Sequence, residues 1–223
     1  MIDSLFEGYN QTVFAYGQTG SGKTFTMGGE YGKHIDASID GVIPRVARKI
    51  FATIEEMKDK FTVVTKLTYF ELYKEDIHDL LKPETDIKLL QVREMPNGQT
   101  IVADLSERTI TEYVQVLELL KDGNLHRTTG ATNMNATSSR SHAVFTIHLE
   151  QQSLTDPDDS KCSQLHLIDL AGSERLKRTG AEGKRKEEGV QINLGLLALG
   201  NVISALSDGL QHVPYRYFLF QII

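Results

Sequence analysis

Gly17-Gln18-Thr19-Gly20-Ser21-Gly22-Lys23-Thr24 fits the pattern G-x-x-x-x-G-K-[ST] at every fixed position. Glycines in such a turn allow several backbone N–H groups to face one anion, and the helix that follows adds a partial positive charge. The spacing therefore predicts a loop that holds the phosphates of a nucleoside triphosphate, although a purely structural turn uses the same residue types. In the phosphate-binding interpretation, Lys23 reaches the β- and γ-phosphates and Thr24 offers its hydroxyl to Mg²⁺.

The residues around this loop predict the strand and the helix that a phosphate loop needs. Residues 12–16 favour a short buried strand, and residues 24–27 favour a helix that is broken at Gly28. Strands and helices alternate further along the chain, which is typical of an α/β protein. The other predicted elements are a helix with Pro44 in its first turn, a strand at 61–73, a turn at 96–98 between short strands, a helix at 109–123 with a capping box between Thr109 and Glu112, strands at 143–149 and 164–168, and a helix at 192–206.

Two more segments carry residues suited to a nucleotide site. Residues 164–169 form an apolar strand that ends in Asp169, a pattern in which the carboxylate holds the water shell of Mg²⁺. Gly172 follows, and its N–H can come close to a terminal phosphate because no side chain intervenes. Residues 138–142 supply hydroxyls and an arginine, which are the groups that sense a γ-phosphate. The same residues are equally typical of a turn-rich or phosphorylated loop.

Composition excludes several classes of protein. The chain has 223 residues, of which 40% are hydrophobic and 24% are charged, as in one large globular domain. No run approaches 18 apolar residues, so we expect no membrane-spanning helix, and the first residues do not have the pattern of a signal peptide. Cys162 is the single cysteine, which excludes an internal disulfide or a structural zinc site and indicates the cytosol or the nucleus.

The charge of the chain is distributed unevenly. The formal net charge is −6, which argues against unspecific or direct nucleic-acid binding by this segment. Residues 175–186 nevertheless hold six basic side chains against Glu182 alone. Such a patch on an acidic protein predicts a docking surface for an acidic partner, with a solvated loop as the alternative. The basic residues are Arg175, Lys177, Arg178, Lys184, Arg185 and Lys186.

Together these segments resemble the kinesin motor domain. Gly8-Tyr9-Asn10 and the phosphate loop are similar to that family's first motif, and residues 135–142 match N-x-x-S-S-R-S-H, its switch I. Residues 169–174, Asp-Leu-Ala-Gly-Ser-Glu, match D-L-A-G-S-E, its switch II. The order and spacing agree from residue 4 to about 216. The resemblance implies an α/β, three-layer P-loop NTPase fold of the kinesin-motor type, and two segments, 41–46 and 179–183, look most like the chromokinesin branch.

The resemblance also implies a role for each matching residue. It implies binding of ATP and Mg²⁺, with a salt bridge between Arg140 and Glu174 that closes the two switches around the attacking water. It further implies microtubules as the partner, because the surface of tubulin is acidic and suits the basic patch at 175–186. The residues implied in catalysis are Ser138, Ser139, Arg140, Gly172 and Glu174; in nucleotide binding, Gly17, Gln18, Thr19, Gly20, Ser21, Gly22, Lys23, Thr24 and Asn135; and in holding Mg²⁺, Thr24, Ser139 and, through water, Asp169.

The chain departs from the family pattern at both ends. The family's first strand, its neck linker and its dimerisation region have no counterpart, and residues 217–223 are an apolar end that does not match the family. We therefore divide the chain into a partial motor domain at 1–216 and an aberrant end at 217–223. An incomplete central sheet would leave the strand at 12–16 with an open edge, so we expect the polypeptide alone neither to walk nor to fold stably. Lys186 and Glu187 also differ from the residues common in relatives.

Three functions remain open on the sequence alone. The first is a microtubule-stimulated ATPase of the cytoplasm and cytoskeleton, with the nucleus or spindle as an alternative location. The second is a fragment that binds nucleotide or microtubules without productive hydrolysis. A GTPase switch is the third and fits less well, because we find no guanine-recognition motif of the asparagine–lysine–x–aspartate type.

Overall fold

The computed structural model describes residues 1–29, 40–73, 76–96, 100–134, 139–174 and 184–214, with the backbone only at 128–134 and 184–192. The described chain contains five helices and eight strands. The helices are α1 (Ile2–Phe6), α2 (Lys23–Gly28), α3 (Val42–Met57), α4 (Tyr113–Met134) and α5 (Lys184–Ser207). The strands are β1 (Gln11–Ala15), β2 (Phe61–Tyr73), β3 (Asp76–Asp79), β4 (Val92–Glu94), β5 (Thr100–Val102), β6 (Arg108–Ile110), β7 (Ser141–Ser153) and β8 (Ser160–Asp169).

A six-stranded sheet forms the middle layer. Its strand order is β1-β8-β7-β2-β3, with β6 beside β2. Strands β1 and β8 are parallel, and the other pairs are antiparallel. Among the described strands, β1 lies at one end of the sheet. Strands β4 and β5 form a separate two-stranded sheet.

Side chains that alternate along the central strands form two apolar cores, one on each face of the sheet. On one face Leu67, Phe145 and Leu167 pack with residues of α1, α3 and α4, such as Leu5 and Ile50. The opposite core holds Phe70, Val144, Ile168 and Leu199, of which the last belongs to α5. Helices on both faces of a mixed sheet give the three-layer α/β architecture, so the predicted fold class is confirmed.

Several helices and strands form where the sequence predicts them. The structure bears out the strand before the loop, the short helix after it, the helix containing Pro44, the strand at 61–73 and the short strands that flank 96–98. The outcome is different for the helix predicted at 109–123. Thr109 belongs to β6, which pairs with β2, so the predicted capping box is wrong. The helix starts at Tyr113, where the side chain of Gln115 accepts hydrogen bonds from the N–H groups of Thr111 and Glu112.

Three other elements, β7, β8 and α5, are longer than predicted. The hairpin of β7 and β8 extends into the polar stretch 151–161, because Gln151 is buried and its amide donates to the carbonyl of Phe6. Helix α5 begins at Lys184 rather than at 192, so Lys184, Arg185 and Lys186 lie in its first turn and not in a loop. Within the described residues, no helix combines the length and the apolar character required to cross a membrane.

Candidate nucleotide site

The phosphate loop lies between the end of β1 and the start of α2, as its motif requires. All three of its glycines have positive φ angles, 158° at Gly17, 78° at Gly20 and 91° at Gly22, which side-chain-bearing residues rarely adopt. Gly22 caps α2, and its carbonyl accepts the N–H of Thr26 at 2.8 Å. The loop therefore has its conformation because glycine occupies these positions.

The parallel pairing of β1 with β8 brings the loop to the switch II segment. Ala15 pairs with Asp169 at the carboxyl ends of the two strands, so both chain segments leave the sheet at the same edge. There the hydroxyl of Thr24 donates to Oδ2 of Asp169 at 2.7 Å. Two residues that are 145 positions apart and were both predicted to serve Mg²⁺ are thus in direct contact.

The switch II segment is hydrogen-bonded to its neighbours along its whole length. The N–H of Ser173 donates to the carbonyl of Gly17 at 3.1 Å, and the N–H of Gly172 donates to the carbonyl of Ser139 at 2.8 Å. In this conformation the Gly172 N–H, predicted to bind a γ-phosphate, is engaged with switch I. Ala171 donates its N–H to Nδ1 of His142, whose ring is neutral because burial lowers its pKa to about 4.

Glu174 contacts the phosphate loop, and the side chain of Lys23 makes a contact within the loop. The Glu174 carboxylate accepts the N–H of Thr19 at 2.9 Å and its hydroxyl at 2.5 Å. Burial alone would raise the pKa of Glu174, but these hydrogen bonds and the charge of Lys23 outweigh it and hold the pKa below its usual value. The ammonium group of Lys23 donates to the carbonyl of Gln18 at 3.0 Å.

A buried charge cluster beneath the site was not found by the sequence analysis. Arg127 of α4 is 4% exposed and lies 2.7 Å from Oδ2 of Asp169 and 3.3 Å from Oε1 of Glu71. Its guanidinium also donates to the carbonyl of Ser141 at 3.1 Å, and the Ser141 hydroxyl donates to Glu71. Burial alone would lower the pKa of Arg127, but the surrounding acidic groups outweigh burial and raise it, so the guanidinium remains charged.

The donor set at this point fits a hard divalent cation. Oδ1 of Asp169 is buried and has no hydrogen-bond partner among the described residues, although the carboxylate sits in a polar cluster. Such an orphaned oxygen, together with the Thr24 hydroxyl, is the type of ligand that Mg²⁺ prefers. In the described part of the chain, no group of three histidine, cysteine or acidic side chains could hold a metal alone.

The structure brings together part of the predicted site. The phosphate loop, Asp169, Gly172, Glu174 and Ser139 converge, while the salt bridge between Arg140 and Glu174 stays a prediction. Asn135, Ser138, Arg175, Lys177 and Arg178 lie outside the described residues. Lys184, Arg185 and Lys186 are described by their backbone alone. The polar Glu71 within the apolar strand β2 was the sequence signal that could have revealed the buried cluster.

Comparison with known proteins decides the family. A sequence model of the kinesin motor domain matches residues 1–218. The chain belongs to the kinesin motor domain family. Two segments that resemble the family's motifs, the phosphate loop and residues 169–174, are the ones that meet where β1 and β8 end.

Individual kinesins resemble this motor domain over nearly all of its length. Chromosome-associated kinesin KIF4A of Homo sapiens is 48% identical over 219 residues, which is 97% of this chain and 18% of the relative. Kinesin-like protein KIN-4C of Arabidopsis thaliana is 44% identical over 247 residues, again 97% of this chain and 19% of the relative. The chain therefore spans about a fifth of the length of these curated relatives.

A solved kinesin structure shares the fold. The structure of a fast kinesin superimposes with a TM-score of 0.87 and is 43% identical, covering 100% of this chain and 62% of that one. The present chain corresponds to just under two thirds of that structure.

Proposed function

We propose that this kinesin motor domain binds ATP with Mg²⁺, hydrolyses it, and couples the reaction to microtubule binding. The observation that carries the proposal is the contact between Thr24 and Asp169, which places the two Mg²⁺-type ligands side by side at the mouth of the phosphate loop. The fast kinesin that shares the fold was described in terms of its ATPase mechanism and its microtubule interactions, which supports the same chemistry here.

The loop residues would bind the triphosphate by charge and by converging donors. Lys23 would exchange the Gln18 carbonyl for the β- and γ-phosphates, and the amides after Gly20 would donate to the same oxygens. When bound, Mg²⁺ would neutralise charge on the phosphate oxygens, with Thr24 and Asp169 holding it. The buried Arg127 would keep the Asp169 carboxylate in one orientation while this happens.

Hydrolysis would depend on positioning rather than on a strong base. The hydrogen bond from Gly172 to the Ser139 carbonyl already joins the two switches. A terminal phosphate that takes over the Gly172 N–H would change the position of both segments at once. Closure of Arg140 onto Glu174 would then enclose the attacking water, as the family resemblance implies.

Microtubule binding would use the basic residues at 175–186. Six positive side chains against one negative side chain suit an acidic protein surface, and such attraction weakens as salt screens it. Helix α5 begins within this patch and packs Leu199 against the core beside the switch II residue Leu170. A change at switch II would therefore reach the microtubule-facing residues through a packed helix.

Phosphate release by the full chain with and without microtubules tests the proposal. We expect microtubules to stimulate release, and Lys23→Ala to abolish the stimulated rate because the phosphates lose their charged ligand. Lys58→Ala is the matched control, since this exposed lysine pairs with Glu55 away from the site. Nucleotide binding without any release would contradict the proposal and favour the non-hydrolysing fragment. Competition between ATP and GTP would show whether the site prefers adenine.

A further inference from the structure

Thr19 of the phosphate loop holds a carboxylate of its own chain. Both the N–H and the hydroxyl of Thr19 donate to Glu174, at 2.9 and 2.5 Å. A loop of this type presents donors that suit an anion, and the two donors of Thr19 are here directed at a glutamate. The motif does not demand a threonine at this position, because residue 19 is one of its variable positions.

The glutamate occupies the space over Gly172. A methyl group built on Gly172 would overlap both carboxylate oxygens of Glu174 and the hydroxyl of Thr19. The Gly172 N–H is the group assigned to the terminal phosphate in the proposed function. The carboxylate therefore lies beside the residue to which the terminal phosphate is assigned, and its charge acts on Lys23, the proposed ligand of that phosphate.

The negative charges of the Glu174 carboxylate and of a terminal phosphate oppose each other at this site. The hydrogen bonds from Thr19 and the nearby Lys23 stabilise the ionised form of Glu174. A γ-phosphate adds negative charge next to this carboxylate, and two anions at contact distance repel each other. A nucleoside diphosphate lacks the group that would meet Glu174.

We propose that Glu174, held by Thr19, is an internal competitor of the terminal phosphate, so that this conformation favours nucleoside diphosphate over triphosphate. The inference rests on the proposed function, because it concerns the same nucleotide site. Thr19 acts through Glu174 and is thus a positioning residue. The apparent affinity for triphosphate is its intrinsic affinity multiplied by the fraction of molecules in which Glu174 has left Thr19.

The test compares the affinities of the full chain for ADP and for the non-hydrolysable analogue AMP-PNP, both with Mg²⁺, by isothermal titration calorimetry. Thr19→Val removes the hydroxyl and keeps the shape of the side chain. We expect it to shift the ratio of the two affinities toward the triphosphate by about fivefold, the effect of one net hydrogen bond. Thr19→Ser restores the hydroxyl and is expected to restore the parent ratio.

A double-mutant cycle separates this role from direct phosphate binding by Thr19. In the Glu174→Ala background, Thr19→Val should no longer change the ratio, because the carboxylate it held is gone. An unchanged ratio in Thr19→Val, a shift toward the diphosphate, or an equal shift in both backgrounds would each overturn the inference. Failure of the parent chain to bind either nucleotide would overturn the proposed function itself.

Discussion

Arg127 and Asp169 form a buried ion pair in which Nη1 of the guanidinium lies 2.7 Å from Oδ2 of the carboxylate. The same oxygen accepts the hydroxyl of Thr24 from the phosphate loop. A side chain of α4 therefore supports, from beneath, the carboxylate that faces the nucleotide. Glu71 completes the cluster from β2, so one cation balances two buried carboxylates.

Arg127→Met should destabilise the fold strongly. The substitution keeps much of the side-chain volume but leaves Glu71 and Asp169 buried without their counter-charge. Removing one partner of a buried ion pair typically costs about 3–5 kcal/mol. The free energy of unfolding in urea measures the effect.

Lys66→Met is the matched control for this variant. Lys66 also pairs with two carboxylates, Glu107 and Glu150, but the group is open to solvent. Exposed ion pairs contribute little to stability, so we expect a much smaller loss of unfolding free energy than for Arg127→Met. Equal losses in the two variants would contradict the role assigned to the buried cluster.

Gly123→Ala should destabilise the junction of α4 with β2. Gly123 is buried, and a methyl group there would overlap the ring of Tyr69, whose hydroxyl donates to Asn124 at 2.8 Å. Overpacking of this kind costs about 1–3 kcal/mol, which exceeds the gain in helix propensity from glycine to alanine. The midpoint of urea unfolding would therefore fall.

The opposite result is expected for a second helical glycine. Gly200 lies in α5, and a methyl group added there would meet nothing within 4 Å. Gly200→Ala should raise the free energy of unfolding by about 0.5–1 kcal/mol. If both alanine variants changed stability in the same direction, the tight contact between Gly123 and Tyr69 would not be the controlling factor.

The sequence predicts the parts of the site that are formed by neighbouring residues. The phosphate loop, α2 and the strand that ends at Asp169 are each encoded within a few positions, so their motifs predict them. The prediction that a helix starts at Thr109 was wrong because this residue suits two structures. It can cap a helix, but pairing with β2 satisfies its backbone within the sheet.

The buried cluster could not be predicted in the same way. Arg127, Glu71 and Asp169 come from three elements that meet only in the folded chain. Nothing local distinguishes Arg127 from the exposed charged residues that precede it in α4. The contact between Glu174 and Thr19 escaped prediction for the same reason, since 155 positions separate the two residues.

Lowering the pH should weaken the fold through His142 and His166. Burial lowers the pKa of each ring to about 4, helped by the charge of Arg127 at His142 and by the neighbouring His148 at His166. Unfolding restores the ordinary pKa of about 6.5. Stability is therefore fully present above pH 6.5 and falls toward pH 4, because the unfolded chain binds protons that the folded chain does not.

The slope of the unfolding free energy against pH gives the size of this effect. Each histidine contributes up to about 1.4 kcal/mol per pH unit within that window. Urea unfolding at pH 7.5, 6 and 5 measures the slope, and His166→Gln should reduce it because one titrating group is removed. A parent chain equally stable at pH 7.5 and 5 would show that the two rings titrate normally in the fold.

Thr24→Val should weaken the Mg²⁺-dependent part of nucleotide binding. Valine has the shape of threonine but offers no oxygen, so Asp169 loses its hydroxyl partner and a cation loses a ligand. We expect ADP affinity to fall by about tenfold or more in the presence of Mg²⁺ and to change little in EDTA. Thr26→Val controls for the loss of a hydroxyl, because Thr26 is exposed on the same short helix. An equal loss in EDTA would show that Thr24 binds the phosphates directly rather than through the metal.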